Sequence, residues 1–395
     1  MATSLVKDHG NNLISANLLT EFKSKVRKSL EKTLPPKSHD ESWRKFPLNQ
    51  FNLSEFNSDF ASGELTDIRS NLDSTNWNEG NITKVTSLLD DLLSQSEGNY
   101  FALLGLFHAK EYYYFEVDEK ETDILDWQFV SEETLSVSSV FLVRIKKNTS
   151  AKIKESYKTI SKTENLHLLT SVSFYVLEES SELKLQISED YDSDLYHFRS
   201  VFSSQERDSK LELSTVPLGG FRGKTFYYPR LSGTGSDAQI LGLTALNKRE
   251  FNDVEILVTH LADHTNSKLI YKTIVADKSH HIFTGNLHIP PNLKKVSAHQ
   301  ESHNLSMNKK ARAEAIPKLE VFSEDVSCTH GATVGDIDEE QLFYLLSRGL
   351  NLNEARHLLV SAFYNEMIGK IAFSEEDEKN LSHLFQEKIL AGGVD

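Results

Sequence analysis

The sequence predicts a mostly β protein with a helical segment at each end, and three observations carry that prediction. Apolar residues recur at helical spacing through about the first hundred residues. From about Tyr112 to Cys328 that spacing is lost, and short β-branched or alternating runs replace it. After Gly335 helical spacing returns. The expected organisation is an N-terminal helical region over residues 1–110, a β core over 111–335 and a C-terminal helical domain over 336–395. At 395 residues the chain is long enough to bury a large core. Its apolar share, counted with Gly and without Tyr, is about 39%, below the roughly 45–50% usual for globular proteins. That shortfall suits an elongated architecture with much surface per residue.

In the first helix Leu18, Phe22, Val26 and Leu30 fall every four residues and so share one face. Lys and Arg occupy the opposite face, read as solvated rather than as a binding surface. Pro35-Pro36 ends the helix, because proline lacks the N–H and clashes with the preceding turn. An aromatic-rich loop from Trp43 to Phe60 follows. Ile82, Val85, Leu88, Leu89, Leu92 and Leu93 then define a second amphipathic helix, and Phe101 to Phe107 belongs to a third.

The β region consists of runs such as Val137–Ile145, Leu166–Leu177, Leu183–Ile187 and Asp253–Val258, separated by turn signals that include Gly219-Gly220, Asn252-Asp253 and Pro290-Pro291. So long a stretch of strand without helices excludes a parallel sheet with helical crossovers. A sandwich, a barrel and a β-solenoid all remain open on pattern alone, and no strict sequence repeat marks a solenoid. In the C-terminal segment Asp338 with Gln341 reads as a capping box and Gly349 as the residue after the helix end. Asn351 with Glu354 opens the next helix, whose apolar face is Ala355, Leu358, Leu359, Ala362, Phe363 and Met367. Ser374 and Asp377 cap a last one.

Composition narrows the function. Forty-three Lys and Arg face 58 Asp and Glu, a formal net charge of −15, so a polyanion is not the expected partner. A single cysteine excludes an intrachain disulfide framework and an all-cysteine metal cage. No run approaches the ~20 apolar residues of a membrane span, and the start, MATSLVKDHGNN, has no signal-peptide character. A soluble cytoplasmic protein is expected.

Three motifs bear on chemistry. Leu218-Gly219-Gly220-Phe221-Arg222-Gly223-Lys224-Thr225 falls one residue short of a phosphate-binding loop and is followed by strand-like residues, so it reads as a β-turn. His260 with His264, and His299 with His303, have a four-residue spacing. In a strand that puts them roughly 13 Å apart, too far for one ion at ~2 Å bonds, so hydrogen-bonded or solvated histidines are expected. His280-His281 reads as a turn. Cys328-Thr329-His330-Gly331 places a thiol and an imidazole on one face of an extended segment, able to reach one soft metal or cluster, with further ligands needed from elsewhere. The enzymatic alternative makes Cys328 a nucleophile, His330 its base and Asp336 or Asp338 the orienting acid. The remaining alternative is a buried Cys beside a hydrogen-bonded His.

The run from Asp325 to Ala362, DVSCTHGATVGDIDEEQLFYLLSRGLNLNEARHLLVSA, resembles the C-terminal signature of the SufB/SufD family of iron–sulfur cluster assembly proteins. Asn304-Leu305-Ser306, Ile316 to Val321, Gly219-Gly220, Leu231-Ser232-Gly233 and Phe283-Thr284-Gly285 are similar to family segments too, as is Glu41 to Leu48 with its Trp43-Arg44-Lys45-Phe46. Cys-x-His-Gly followed by Ala-Thr-Val-Gly, one cysteine and this chain length resemble the SufD branch. Val258 to His264 follows the family pattern only loosely.

The resemblance implies a right-handed parallel β-helix between N- and C-terminal helical regions. It implies a non-catalytic scaffold subunit that pairs with a SufB-like paralogue through the β-helix and docks a SufC-like ATPase through its C-terminal helices, with a homodimer of the chain alone left open. On the same ground Cys328 and His330 would lie at the junction with SufB and contact iron or a transient cluster shared there, with no tightly bound cofactor, and Phe343, Tyr344 and Arg348 become candidate SufC contacts. A docking protein with no iron contact is the further alternative within the family.

Overall fold

The computed structural model describes residues 14–56, 61–62, 64–69, 79–118, 125–130, 136–158, 167–191 and 195–390. Of the segments singled out above, the N-terminal MATSLVKDHGNN, Phe60 and Leu166 lie outside these residues.

Its centre is a parallel β-helix built from two nine-stranded sheets. From Ser136 onward successive strands alternate between the sheets, and each pairs in parallel with the strands one rung before and after it. Sheet one begins with Ala61–Ser62 and Tyr112–Val117, both paired with Ser136–Ile145, and runs to Arg312–Val321, and sheet two ends on Asp325–Asp336. The described strands include one antiparallel pair, Glu64–Arg69 with Leu125–Val130, at the beginning of sheet two. The inner faces of both sheets meet in one long core that includes Val143, Leu185, Leu213, Ile240, Val254, Leu269 and Leu287.

The sequence lacks a repeat in its strands, yet it has one in its corners. Ser150, Glu182, Lys210, Asp237 and Asn266 are in register along sheet two. The residues just before them, Thr149, Ser181, Ser209, Ser236 and Thr265, form a buried column of hydroxyls. Ser181 and Ser209 each donate to the backbone carbonyl three residues back, at 2.7 Å. Asn148, Ser180, Asp208 and His264, immediately before four of these hydroxyls, take the left-handed conformation, which lets the chain reverse between sheets. The repeat is one small polar residue in roughly thirty, too sparse to stand out in a sequence scan.

Helices cover the two outer faces. α1 (Ala16–Lys32), α2 (Glu79–Ser96) and α3 (Tyr100–His108) lie on sheet one, where Phe22, Val26, Val85, Leu89 and Leu103 meet Tyr112, Tyr114, Leu142 and Phe174. The segment after α1 crosses the same face and buries Trp43, Phe46 and Phe56 against Phe101, Phe198, Phe226 and Phe251. Sheet one is thus buried on both sides, and this is why its strands read as near-continuous apolar runs. α5 (Leu352–Ile371) and α6 (Glu375–Leu390) cover sheet two, with Val360, Tyr364, Met367, Ile368 and Phe385 against Leu218, Leu241, Leu243 and Ile274. α4 (Glu339–Ser347) buries none of its residues.

The expected apolar face of α5 is corrected in part. Ala355 and Met367 are buried as read, but Val360, Tyr364, Ile368 and Ile371 complete the packed face, and Leu358 is 47% exposed. The helix is apolar on two sides. One stripe packs on sheet two, and Leu358, Leu359 and Ala362 face outward beside α4. At the cap of α4, Asp338 accepts from Glu340 and Gln341 N–H, both at 2.9 Å, without a return bond from Gln341. Asn351 and Glu354 form the full reciprocal box on α5.

Candidate functional site

The last rung of the β-helix is where candidate chemistry and open backbone coincide. Arg312–Val321 pairs with His280–Ile289, and Asp325–Asp336 pairs with Lys294–Ser306. Among the described residues neither has a strand on its other side. Asp325–Asp336 is exposed along most of its length, and Leu319, Phe322 and Val334 add exposed apolar surface at 37%, 60% and 56%. Unpaired, solvent-facing strand edges with apolar side chains are templates for another chain.

Cys328 and His330 alternate with Thr329, so they share a face, and it is the inner one. Cys328 packs on the β-helix core beside Val326, in register with Ala298. His330 sits on Gln300, which is buried and donates its amide N–H to the Lys318 carbonyl at 3.0 Å. A Cβ at Gly285 would lie 2.2 Å from Gln300 Oε1, so glycine leaves the room Gln300 occupies. His330 itself is exposed. Burial pushes the Cys328 thiol above its usual value, opposite to what an activated nucleophile requires. Asp338 spends its carboxylate on the α4 cap, so it is not held as an orienting acid for His330. No third donor completes a site around the pair: among the described residues no group of three or more His, Cys, Asp or Glu is arranged to hold a metal ion. Two soft donors at the open end of a core can serve an ion or cluster only together with ligands from another chain.

On the outer face of the same strands, His299 Nε2 lies 2.7 Å and His303 Nε2 3.2 Å from opposite oxygens of Glu301. His303 Nδ1 lies 3.1 Å from the Thr333 hydroxyl, and His299 Nδ1 contacts that of Thr329. Hydrogen bonds from the two imidazoles hold the Glu301 carboxyl below its ordinary range. The four-residue spacing is legible in the sequence, and Glu301, midway between the two histidines on the same face, is the carboxylate that bridges them. His260 is buried, 2.7 Å from Thr265 Oγ1 and 2.9 Å from Ser267 Oγ, while His264 occupies a left-handed corner. The turn expected at His280-His281 is corrected: both lie at the start of a strand. His280 points outward to Glu314 at 2.9 Å, and His281 is buried inside against the Tyr271 ring. The turn ends one residue earlier, at Ser279, whose hydroxyl closes it on the Ala276 carbonyl.

The near-miss phosphate loop is a corner followed by a strand. Gly219 and Gly220 both have positive φ, and a Cβ at Gly219 would strike the Tyr191 carbonyl at 2.3 Å. Lys224 is buried 2.8 Å from Asp253 and lies over Trp43 and Phe226, so its charge is taken.

Near the C-terminus Phe343 and Tyr344 are 72% and 56% exposed, and the Arg348 guanidinium lies 5.0 Å from the Tyr344 ring centre. Tyr344, Leu345, Leu358, Leu359 and Ala362 line a shallow cavity of about 410 Å3 between α4 and α5.

A profile described as "SUF system FeS cluster assembly, SufBD core domain" matches residues 129–363. The chain belongs to the SufBD family. An iron–sulfur cluster assembly SufBD family protein from Synechocystis is 27% identical over 248 residues, 61% of this chain and 55% of the relative. The iron–sulfur cluster assembly protein SufD of Escherichia coli is 38% identical over 138 residues, 35% of this chain and 33% of its own. SufD of Plasmodium falciparum is 26% identical over 251 residues, 63% of this chain and 17% of its own. The matched segments thus span about half or less of these relatives. The SufBD match covers most of the β-helix and runs into α5. No helix among the described residues is long and apolar enough to cross a membrane.

Proposed function

We propose that the chain is a SufD-like, non-catalytic scaffold subunit in iron–sulfur cluster assembly, pairing with a SufB-like paralogue and docking a SufC-like ATPase. The observation that carries this reading is the last rung, which offers Cys328 and His330 at the same open strand edges that invite a second chain. Pairing there would bring the partner's ligands to the two donors this chain supplies and would shelter them from water. Iron or a nascent cluster is then cargo shared between chains. The aromatic face of α4 and α5, with Phe343, Tyr344 and Arg348, supplies the ATPase contact, since exposed aromatics beside an arginine are what binding hot spots are made of. The raised Cys328 thiol favours this reading over a cysteine nucleophile.

Co-purification of the tagged chain from its native cells under anaerobic conditions tests the assembly; recovery of a SufB-like chain and a SufC-like ATPase is expected, and recovery of the chain alone would remove the reading. His330→Ala is expected to leave that complex intact and lower cluster content. Full loading in a Cys328→Ser, His330→Ala double variant would instead leave a docking protein with no iron contact.

A further inference from the structure

We propose that the chain carries a binding site for a small aromatic anion between the N-terminal helices and the outer face of sheet one, on the opposite side of the sheet from the inner core. A cavity of about 540 Å3 lies there, walled by the ends of α1 and α2, by the segment around Trp43, and by sheet one. Its volume falls within the range of small-molecule sites.

The sheet wall is ordered by strand register. Phe226, Tyr228 and Arg230 alternate outward along one strand, Tyr228 pairs with Phe202 on the strand before, and Arg230 pairs with Thr259 on the strand after. The rings form a ladder: Phe202 and Tyr228 stack at 5.0 Å and 15°, and Phe226 and Tyr228 are nearly parallel at 5.9 Å and 5°. The Asn99 amide holds the Tyr228 hydroxyl at 3.4 Å and Ser200 at 3.0 Å, which fixes the ladder's edge. Phe202 and Phe226 are almost fully buried and brace Tyr228, so the ring surface left to an aromatic guest is that of half-buried Tyr228 and Tyr100, held in place with little ordering cost.

Arg230 supplies the charge. Three cations leave this strand on the same face, and Arg222, which donates to the Gln50 side chain and lies over the Phe221 ring, is not among the residues that line the cavity. Lys224 is neutralised by Asp253 and Glu255, whereas Arg230, half-buried in the cavity wall, has no carboxylate partner among the described residues. Three carboxylates stand at the rim. Glu41 is paired with Lys318, whereas Asp40, which accepts the Lys37 backbone N–H, and exposed Glu97 keep their charges and are what an anion must outcompete. In a chain of net charge −15, a half-buried arginine left without a partner is a place where an anion replaces lost hydration. Gln95 also lines the cavity with a buried, unpartnered Oε1, an acceptor for a ring N–H or hydroxyl of the guest.

The test uses 1-anilinonaphthalene-8-sulfonate, an aromatic anion, and its uncharged counterpart N-phenyl-1-naphthylamine, both read by fluorescence. The full chain carries Phe343→Ser and Tyr344→Ser so that the exposed α4 face does not bind dye. One saturable site for the sulfonate is expected. Arg230→Gln should weaken it about tenfold or more, Arg230→Lys should restore most of the affinity, and neither should move the uncharged dye by more than about twofold. Absence of a saturable site, or sulfonate affinity unchanged by Arg230→Gln, would overturn the proposal. Equal loss of both dyes in Arg230→Gln would overturn it too, because a disturbed wall and not the charge would then be responsible.

Discussion

The middle of the β-helix and its last rung are built from the same strand pair, yet one is closed on every side and the other is not. In the middle even an arginine is shut in. Arg199 is fully buried between Glu155 and Glu189, 3.3 Å from the latter and 3.0 Å from the Tyr157 hydroxyl. Burial opposes ionisation of Glu189, and His197 and Arg199 outweigh it, holding its carboxyl below the ordinary range. Outside, helices and the Trp43 segment cover the sheets. At the last rung, among the described residues, the inner residues Cys328 and His330 have no rung above them and the strand is exposed. The difference teaches where the chain supplies its own partners and where it leaves them to others.

Arg199→Ala should have the largest effect, since it strands two buried carboxylates, and a loss of about 3–5 kcal/mol is expected in denaturant titration. A loss below about 1 kcal/mol would mean that the middle is not closed as described. Trp43→Ala opens the aromatic cluster over sheet one and should cost about 3–5 kcal/mol, read as a lower midpoint at unchanged slope.

Acid should expose the same closure. Burial holds His260 down to about 4 and His281 down to about 3. Both stay neutral in the fold, while the unfolded chain takes up their protons below about pH 6.5. Their contribution is complete above that pH and falls as pH drops towards 4 and 3, by about 2 kcal/mol for each at pH 5. His281→Phe should remove its share of the slope between pH 7 and 5, measured by urea midpoints.

At the open end the expected stability effects are small. Phe343→Ser with Tyr344→Ser should change stability by under about 0.5 kcal/mol while lowering affinity for the proposed SufC-like ATPase at least tenfold. A stability loss of several kcal/mol would show that α4 serves the fold instead. His330→Ala should be the quietest, visible in cluster content alone.

Local features were legible in the sequence because their causes are local. Leu18, Phe22, Val26 and Leu30 marked the first helix, although Leu19 takes a buried place that Leu18 only partly shares. Asn351 with Glu354 marked a cap that the structure completes. The helix–strand–helix order followed from the change of apolar period, and the long run of strand without helices excluded a doubly wound sheet. The Cys328-x-His330 pair was legible as two donors on one face, since alternation in a strand needs no partner to be true.

What the sequence could not give was which face is inside. That depends on pairing between residues about thirty apart, and on the number of residues each corner consumes. A one-residue change there turns every following side chain over. Hence His281 inside and His280 outside, Arg199 enclosed by Glu155 and Glu189, Gln300 beneath His330, and Arg230 without a carboxylate among the described residues beside paired Lys224. The sequence by itself determined the helices, their caps, the strand-rich middle and the two donors near its end. Tertiary structure alone decided which charges are neutralised and which edge stays open, because both are set by rungs stacked across long stretches of chain.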